Sequence, residues 1–237
     1  MQNYRKRSIV KIQAIIPAAG TGNRLHAGVH KPFVELCGKP LCVHTLEVFE
    51  QSPEIESVIL VGNEEHLSDF EKMVKQYQLK KVTRIVAGGK TRRESVANGL
   101  AALDPDTDIV VVHDSARPLV SLKVISEAVG LCQNSEAVVV AVPVTSTIKR
   151  VNASDLSVEA TLRRDGLWEV QTPQVFKKEL LIKAHKRKKK TAPTDDAMLV
   201  ESLGVRVKVL PGDYTNIKIT TQEDLTMAKS LLGSRKQ

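Results

Sequence analysis

Ile12-Gln-Ala-Ile-Ile-Pro-Ala-Ala-Gly-Thr-Gly-Asn-Arg24 passes from an apolar stretch directly into a loop of small residues. Ile12 to Pro17 reads as a buried strand. Four more runs share this character, namely Ser57-Val-Ile-Leu-Val61, Val82 to Ala87, Ile109-Val-Val-Val-His113 and Ala137-Val-Val-Val-Ala-Val142. Near-continuous β-branched runs bury both faces, as parallel strands covered by helices do. Between them, apolar residues recur at helical spacing over Leu41–Glu50, Glu64–Tyr77, Arg93–Leu103 and Leu122–Asn134. This alternation predicts an α/β fold, a doubly wound and mostly parallel sheet, with residues 1–237 forming one domain.

The rhythm breaks between Val144 and Gln174. Ile148–Val151 and Val158–Leu162 flank the turn-like Asn152-Ala-Ser-Asp155, which predicts a β-hairpin arm over about residues 144–166 that leaves the main body. Beyond it come a helix ending in a basic run, a short helix near Ala197–Leu203, a strand Arg206–Leu210 and a last helix Gln222–Leu232. A lone hairpin is marginal in water, so the arm needs a surface to pack on, and exchange of arms in a two-fold dimer would supply one.

Composition narrows the classes. Hydrophobic residues make up 42% and charged residues 26%, as in ordinary globular chains. No apolar run is long enough for a membrane span, and the basic start lacks the apolar stretch of a signal peptide, so a cytoplasmic setting is expected. Cys37, Cys42 and Cys132 match no zinc spacing and read as small core fillers. Six of the eight surplus positive charges fall in Lys183-Ala-His-Lys-Arg-Lys-Lys-Lys190. One basic helix tip, with aromatic residues at 3%, argues against nucleic acid as a partner. His26, His30 and His44 read as surface or core residues.

In an open parallel sheet, ligands bind beyond the carboxyl ends of the strands, so the loops that follow the strands carry the chemistry. The first loop, Pro17-Ala-Ala-Gly-Thr-Gly22, lets backbone N–H groups approach a phosphate closely, with Arg24 and then Lys31 to neutralise it. It is neither a dinucleotide fingerprint nor a Walker loop. Gly88-Gly-Lys-Thr-Arg-Arg-Glu-Ser-Val96 leads into a helix start, the form of an anion or base-edge cradle. His113-Asp-Ser-Ala-Arg-Pro118 places Asp114 where a metal-binding carboxylate serves nucleotidyl transfer, or where it caps a helix or pairs with Arg117. Arg164, Thr172, Thr194, Asp195 and Lys218 add a polar, basic set suited to a second, phosphorylated substrate. Together the loops suit a nucleoside triphosphate with Mg²⁺.

Seven segments in order resemble the 2-C-methyl-D-erythritol 4-phosphate cytidylyltransferase family: Pro17-Ala-Ala-Gly-x-Gly-x-Arg24 with Lys31-Pro32, Gly88-Gly-x-x-Arg92 with Ser95-Val96, His113-Asp-Ser-Ala-Arg-Pro118, Val142-Pro143 with Thr147-Ile-Lys149, Leu167-Trp-x-x-Gln-Thr-Pro-Gln174, Thr194-Asp-Asp-Ala197, and Tyr214-Thr-Asn-Ile-Lys-Ile-Thr220. The resemblance implies a Rossmann-like nucleotidyltransferase fold, a homodimer joined through the arm, and transfer of a cytidylyl group from CTP to 2-C-methyl-D-erythritol 4-phosphate with release of pyrophosphate. It further implies that Pro17, Ala18, Ala19, Gly20, Thr21, Gly22, Gly89, Ser95 and Ser115 hold CTP. Arg24 and Lys31, with Arg164 and Lys218, would be catalytic. Asp114 would position Mg²⁺ and contact the acceptor together with Arg117, Thr147, Arg164, Thr172, Thr194 and Lys218. Thr147 and Arg164 would reach the site from the partner's arm. Lys90 and Arg93 depart from the family, which often has an acid and a glutamine there; both would add positive charge near the triphosphate. The alternatives are a ribitol 5-phosphate cytidylyltransferase, which shares the nucleotide loops, and a non-catalytic nucleotide-binding module.

Overall fold

The computed structural model describes residues 10–20, 30–187 and 193–234. At its centre is a seven-stranded sheet built from β1 (Ile12–Pro17), β4 (Ser57–Gly62), β5 (Val82–Ala87), β6 (Ile109–Val112), β7 (Ala137–Pro143), β10 (Trp168–Lys177) and β11 (Lys208–Pro211). The strand order is β11-β7-β10-β6-β1-β4-β5. All neighbours run parallel except β10, which is antiparallel to both β6 and β7. The sheet is therefore α/β and mostly parallel, as the apolar runs require. Every residue of β4 and β6 is buried, whereas β5, at the edge, exposes Thr83 and Arg84.

Helices cover both faces. On one, Phe49 of α1 (Leu41–Gln51), Phe70 of α2 (Leu67–Gln76) and Ile125 of α4 (Leu122–Gln133) pack on alternate strand residues such as Ile16 and Val111. On the other, Val96 of α3 (Arg92–Ala101), Leu181 of α5 (Lys178–Lys186) and Val200 of α6 (Asp196–Glu201) pack on Ile15, Ile59 and Val110. The period of two along β1 thus divides Ile15 from Ile16 between two cores. A third cluster joins α7 (Gln222–Ser234) to Leu36 of the small ribbon β2–β3 (Glu35–Leu36 and Lys39–Pro40) and to Leu119.

Two sequence expectations need correction. Residues 168–177, to which the sequence pattern assigns no element, are a central strand. Gln171, Thr172, Pro173 and Gln174 break the apolar pattern, and the pairing with β7 shifts register between Val170 and Gln174. A proline inside a strand is tolerated at such an irregularity. Cys37 is exposed and has positive φ, so it is not a core filler; Cys42 and Cys132 are. The ribbon β2–β3 is a further addition, too short to leave a periodic signal.

The two strands expected on either side of Asn152–Asp155 are present. β8 (Ile148–Val151) and β9 (Val158–Leu162) form a separate two-stranded sheet. Its tip is ordered by Asn152 and Asp155, whose side-chain oxygens accept from the backbone N–H groups of Ser154 and Ser157, both at 2.9 Å. Val151, Val158 and Leu156 are exposed, Leu156 by 77%. Among the described residues no helix is long and apolar enough to cross a membrane.

Candidate active site

Strand order reverses between β1 and β6: the chain moves outward from β1 through β4 to β5, then returns to the other side of β1. Loops leaving two such strands diverge and open a crevice. A cavity of about 480 Å³ lies there, walled by the segments that follow β1, β5 and β6.

Each wall is built by local rules. Ala18 N–H donates to Val61 O at 2.7 Å and Gly88 N–H to Gly62 O at 2.7 Å, which ties the first two loops to β4. Gly88 and Gly89 allow the helix start to close in. A Cβ at Gly88 would lie 2.5 Å from that of Ala19, and one at Gly89 would lie 2.2 Å from the Glu94 Cβ. α3 then opens with a reciprocal cap: Thr91 Oγ1 accepts from Glu94 N–H at 3.1 Å, while the Glu94 carboxylate accepts from Thr91 and Lys90 N–H groups. Such caps contribute about 1 kcal/mol. The Ser95 hydroxyl donates to Thr91 O and accepts from Gly89 N–H, so it shapes the glycine turn from inside.

The polar interruption of β10 proves to be the organiser of the remaining walls. Gln171 and Asn216 join through the 3.1 Å bond from Asn216 Nδ2 to Gln171 Oε1, and Gln171 Nε2 donates to Asp213 O. Gln174 donates to Asp195 and accepts from Ala197 N–H, which fixes the start of α6. Thr172 is bonded into the β6 loop. The Asp114 N–H donates to Thr172 Oγ1 at 3.1 Å, and that hydroxyl faces His113 Nδ1 at 3.0 Å. His113 Nε2 lies 3.1 Å from Arg117 O, which can only accept, so Nε2 carries the proton and Nδ1 accepts from Thr172. One buried threonine and one neutral imidazole therefore lock the loop that carries Asp114.

Asp114 is the charge centre. Its Oδ1 is 3.1 Å from Arg92 Nε, and its Oδ2 is 2.7 Å from Lys218 Nζ and 4.0 Å from Arg117 Nε. Burial alone would push its carboxyl up, but Arg92 and Lys218 outweigh it and hold the group well below the usual carboxylate range. Arg92 also reaches Asp196 Oδ2 at 2.6 Å, and Asp196 Oδ1 meets His185 Nε2 at 3.0 Å. Lys218 is held by the loop after β11, where Ile219 N–H donates to Ala116 O at 2.8 Å.

The expected site residues separate into groups. Pro17, Ala18, Ala19, Gly20, Lys31, Gly89, Ser95, Asp114, Ser115 and Lys218 line the same cavity. Arg117 and Thr172 lie buried behind Asp114; Arg117 Nη1 donates to Asn216 O at 2.7 Å. Thr194 is exposed outside the lining. Thr147 and Arg164 are exposed on the arm and do not line this cavity; Arg164 Nη1 donates to Thr145 O at 2.6 Å. Thr21, Gly22, Arg24 and residues 188–190 of the basic segment lie outside the described residues.

Arg92 stands in a family motif, but its second partner is 104 residues away, so no local pattern reveals its role. Arg93, expected near the triphosphate, does not line the cavity. Instead Arg93 Nη2 donates to His185 O and Arg187 O, both at 2.8 Å, and closes the end of α5. Lys90 does line the cavity, and nothing in the structure explains why a lysine stands there.

His113 supplies a pH test. Burial lowers its pKa from the ordinary 6.5 to about 4, against the bond to Arg117 O, which favours the protonated form. Between those values the unfolded chain binds a proton that the folded chain refuses, so stability is lost as pH falls from about 6.5 to about 4. The loss is on the order of 3 kcal/mol at about 1.4 kcal/mol per pKa unit. His30, also lowered by burial and by His66, titrates in the same direction. Urea unfolding at pH 7.5 and 5 should therefore be compared with His113→Gln, whose slope with pH is expected to be distinctly flatter. Equal slopes would contradict the buried neutral imidazole.

With this geometry in hand, comparison with known proteins places the chain among close relatives. The family model for 2-C-methyl-D-erythritol 4-phosphate cytidylyltransferase matches residues 12–234. A curated protein of that description from Alkaliphilus metalliredigens is 45% identical over 231 residues, 95% of each chain. One from Halalkalibacterium halodurans is 44% identical over 230 residues, covering 96% of this chain and all of the relative. Among solved structures, the 4-diphosphocytidyl-2C-methyl-D-erythritol synthase of Anaerococcus prevotii superposes with a TM-score of 0.84 at 33% identity, over 95% of this chain and 97% of that one. The Thermus thermophilus cytidylyltransferase gives 0.76 at 29% identity, over 92% and 98%.

Proposed function

The chain belongs to the 2-C-methyl-D-erythritol 4-phosphate cytidylyltransferase family, and from that premise we propose how its cavity divides the work. The reaction transfers the cytidylyl group of CTP to 2-C-methyl-D-erythritol 4-phosphate, giving 4-diphosphocytidyl-2-C-methyl-D-erythritol and pyrophosphate in the non-mevalonate route to isoprenoids. A phosphate oxygen of the acceptor attacks the α-phosphorus of CTP in line, and pyrophosphate leaves. The nucleophile is already an anion, so no general base is required. The difficulty is to bring two polyanions together and to stabilise charge at the five-coordinate phosphorus, which is a task for positioning and fixed charge.

The observation that carries this reading is a cavity at the sheet's switch point that a small-residue loop, a glycine turn, Lys31 and Lys218 line together. On the nucleotide side, Pro17, Ala18, Ala19, Gly20, Thr21, Gly22, Gly89, Ser95 and Ser115 hold CTP, the small residues admitting backbone N–H groups to base and phosphates. Arg24 and Lys31 neutralise the reacting phosphates. On the acceptor side, Lys218 and Asp114 form the floor, Arg117 and Thr172 fix that floor, and Thr194 stands at its margin. Thr147 and Arg164 come from the arm of a partner, in a homodimer joined over about residues 144–166. The whole of 1–237 works as one domain. A cytoplasmic setting belongs to the same proposal.

Among the described residues Asp114 is the single carboxylate that lines the cavity, and no cluster of three or more metal-binding side chains occurs. That donor set fits an ion that arrives on the triphosphate and takes one protein carboxylate, as Mg²⁺ does, and not an ion caged by protein. Asp114 would hold it. The ion, when bound, neutralises charge on the phosphate oxygens.

Base choice tests the nucleotide side. Gly89 and Ser95 narrow the cavity around backbone groups able to read the amino edge of cytosine, so CTP is expected to outpace UTP, ATP and GTP in pyrophosphate release with methylerythritol phosphate as acceptor. Equal rates with UTP would refute this reading. Ribitol 5-phosphate in the same assay separates the acceptors, and release only with ribitol 5-phosphate would move the chain to the other polyol.

A further inference from the structure

Arg92 is shared between two carboxylates, and only one of them faces the cavity. Its Nε meets Asp114 in the wall, while its Nη1 meets Asp196, which is 1% exposed and contributes nothing to the lining. Asp196 is not needed to start its own helix. Asp195 caps α6, accepting from Met198 N–H at 2.9 Å, and Gln174 takes the Ala197 N–H. A carboxylate buried this deeply is costly unless it is paired, so its place here depends on Arg92 and His185.

We infer that Asp196 is a positioning residue for the transfer: by holding one end of the Arg92 guanidinium it fixes the other end on Asp114, and so sets the Asp114–Lys218 pair that faces the acceptor. With both ends held, Arg92 binds Asp114 through Nε alone and leaves the second carboxylate oxygen to Lys218 at 2.7 Å. Released from Asp196, the planar fork is free to take both oxygens of Asp114, the geometry that arginine favours with carboxylates, and to displace Lys218. The same contact ties the nucleotide wall, through the first residue of α3, to the acceptor floor.

The inference rests on the transfer proposed above, and the test keeps the two apart. Asp196→Asn, Arg92→Gln and the double variant are assayed for cytidylyl transfer, with unfolding followed separately. Asp196→Asn should lower kcat/KM for the acceptor by roughly 10- to 100-fold, the scale for removing an outer partner of a site residue. The KM for CTP should stay within about threefold, an effect under 1 kcal/mol. If Asp196 works through Arg92, the double variant should be no worse than Arg92→Gln alone. Should Asp196→Asn fail to fold, Arg92→Lys serves, since a single ammonium cannot bridge both carboxylates as the guanidinium does; a marked loss in acceptor kcat/KM is expected. Normal kinetics in Asp196→Asn or Arg92→Lys, or losses that multiply in the double variant, would overturn the inference. A wild-type chain with no transfer activity would instead overturn the reading of the reaction.

Discussion

Lys31→Ala is expected to lower turnover by ~10²–10³ while the protein stays folded, the usual scale for removing one preorganised charge stabiliser. Lys31 opens the short 3₁₀ turn Lys31–Phe33, and the turn is held by main-chain groups: Phe33 N–H donates to His30 O and Val34 N–H to Lys31 O. Pro32 is buried and anchors it. Truncating the Lys31 side chain leaves those bonds in place, so the melting temperature should move by no more than about 2 °C. What is lost is a positive charge in the wall of the cavity. Steady-state rates and a thermal melt on the same preparation decide the matter. A variant with near-normal turnover would remove Lys31 from the reacting phosphates, and one that unfolds would make it a structural residue.

The second large effect concerns the arm. Among the described residues its hairpin pairs with no other strand, and Val151, Leu156 and Val158 are exposed on it, with Trp168 and Val170 exposed at the adjoining end of β10. Apolar surface of that extent on a marginal hairpin supports a second copy as its cover. Thr147 and Arg164 do not line the cavity of their own chain, which is what delivery to a partner requires. Lys31→Ala and Arg164→Ala should then each be nearly inactive and yet rescue one another. In a mixed dimer one site carries both lesions and the other carries neither. Random exchange at equal amounts gives half heterodimers, so activity should return to about a quarter of wild type. Heterodimers confirmed by mass but without recovery would return Arg164 to its own chain and end the shared-site proposal.

The sequence exposed most of the scaffold because buried parallel strands advertise themselves. Residues 109–112 and 137–142 are apolar at every position, and the structure buries all of them. β10 escaped because Gln171, Thr172 and Gln174 spend their polarity inward, each holding a different loop, and an inward polar group looks like a connection when only the pattern is seen. The cavity was legible where chemistry follows a strand directly: the Pro17–Gly20 loop, the glycine pair, Asp114. Contacts that need distant partners were not. Arg92 looks like a motif residue until Asp196 arrives beside it, and Arg93 looks like a phosphate ligand until the end of α5 takes its guanidinium. Thr172 and His113 likewise reveal their joint role only when the central strand brings them to 3.0 Å.

The central claim is that this cavity joins CTP to a polyol phosphate through attack of the acceptor phosphate on the α-phosphorus. Phosphorus NMR of the purified protein with CTP, 2-C-methyl-D-erythritol 4-phosphate and Mg²⁺ tests it most directly. The account predicts pyrophosphate and a new cytidine diphosphate ester in equal amounts, formed only when the acceptor is present. Failure to form the diphosphate ester, or conversion of CTP to CMP at the same rate without acceptor, would contradict it.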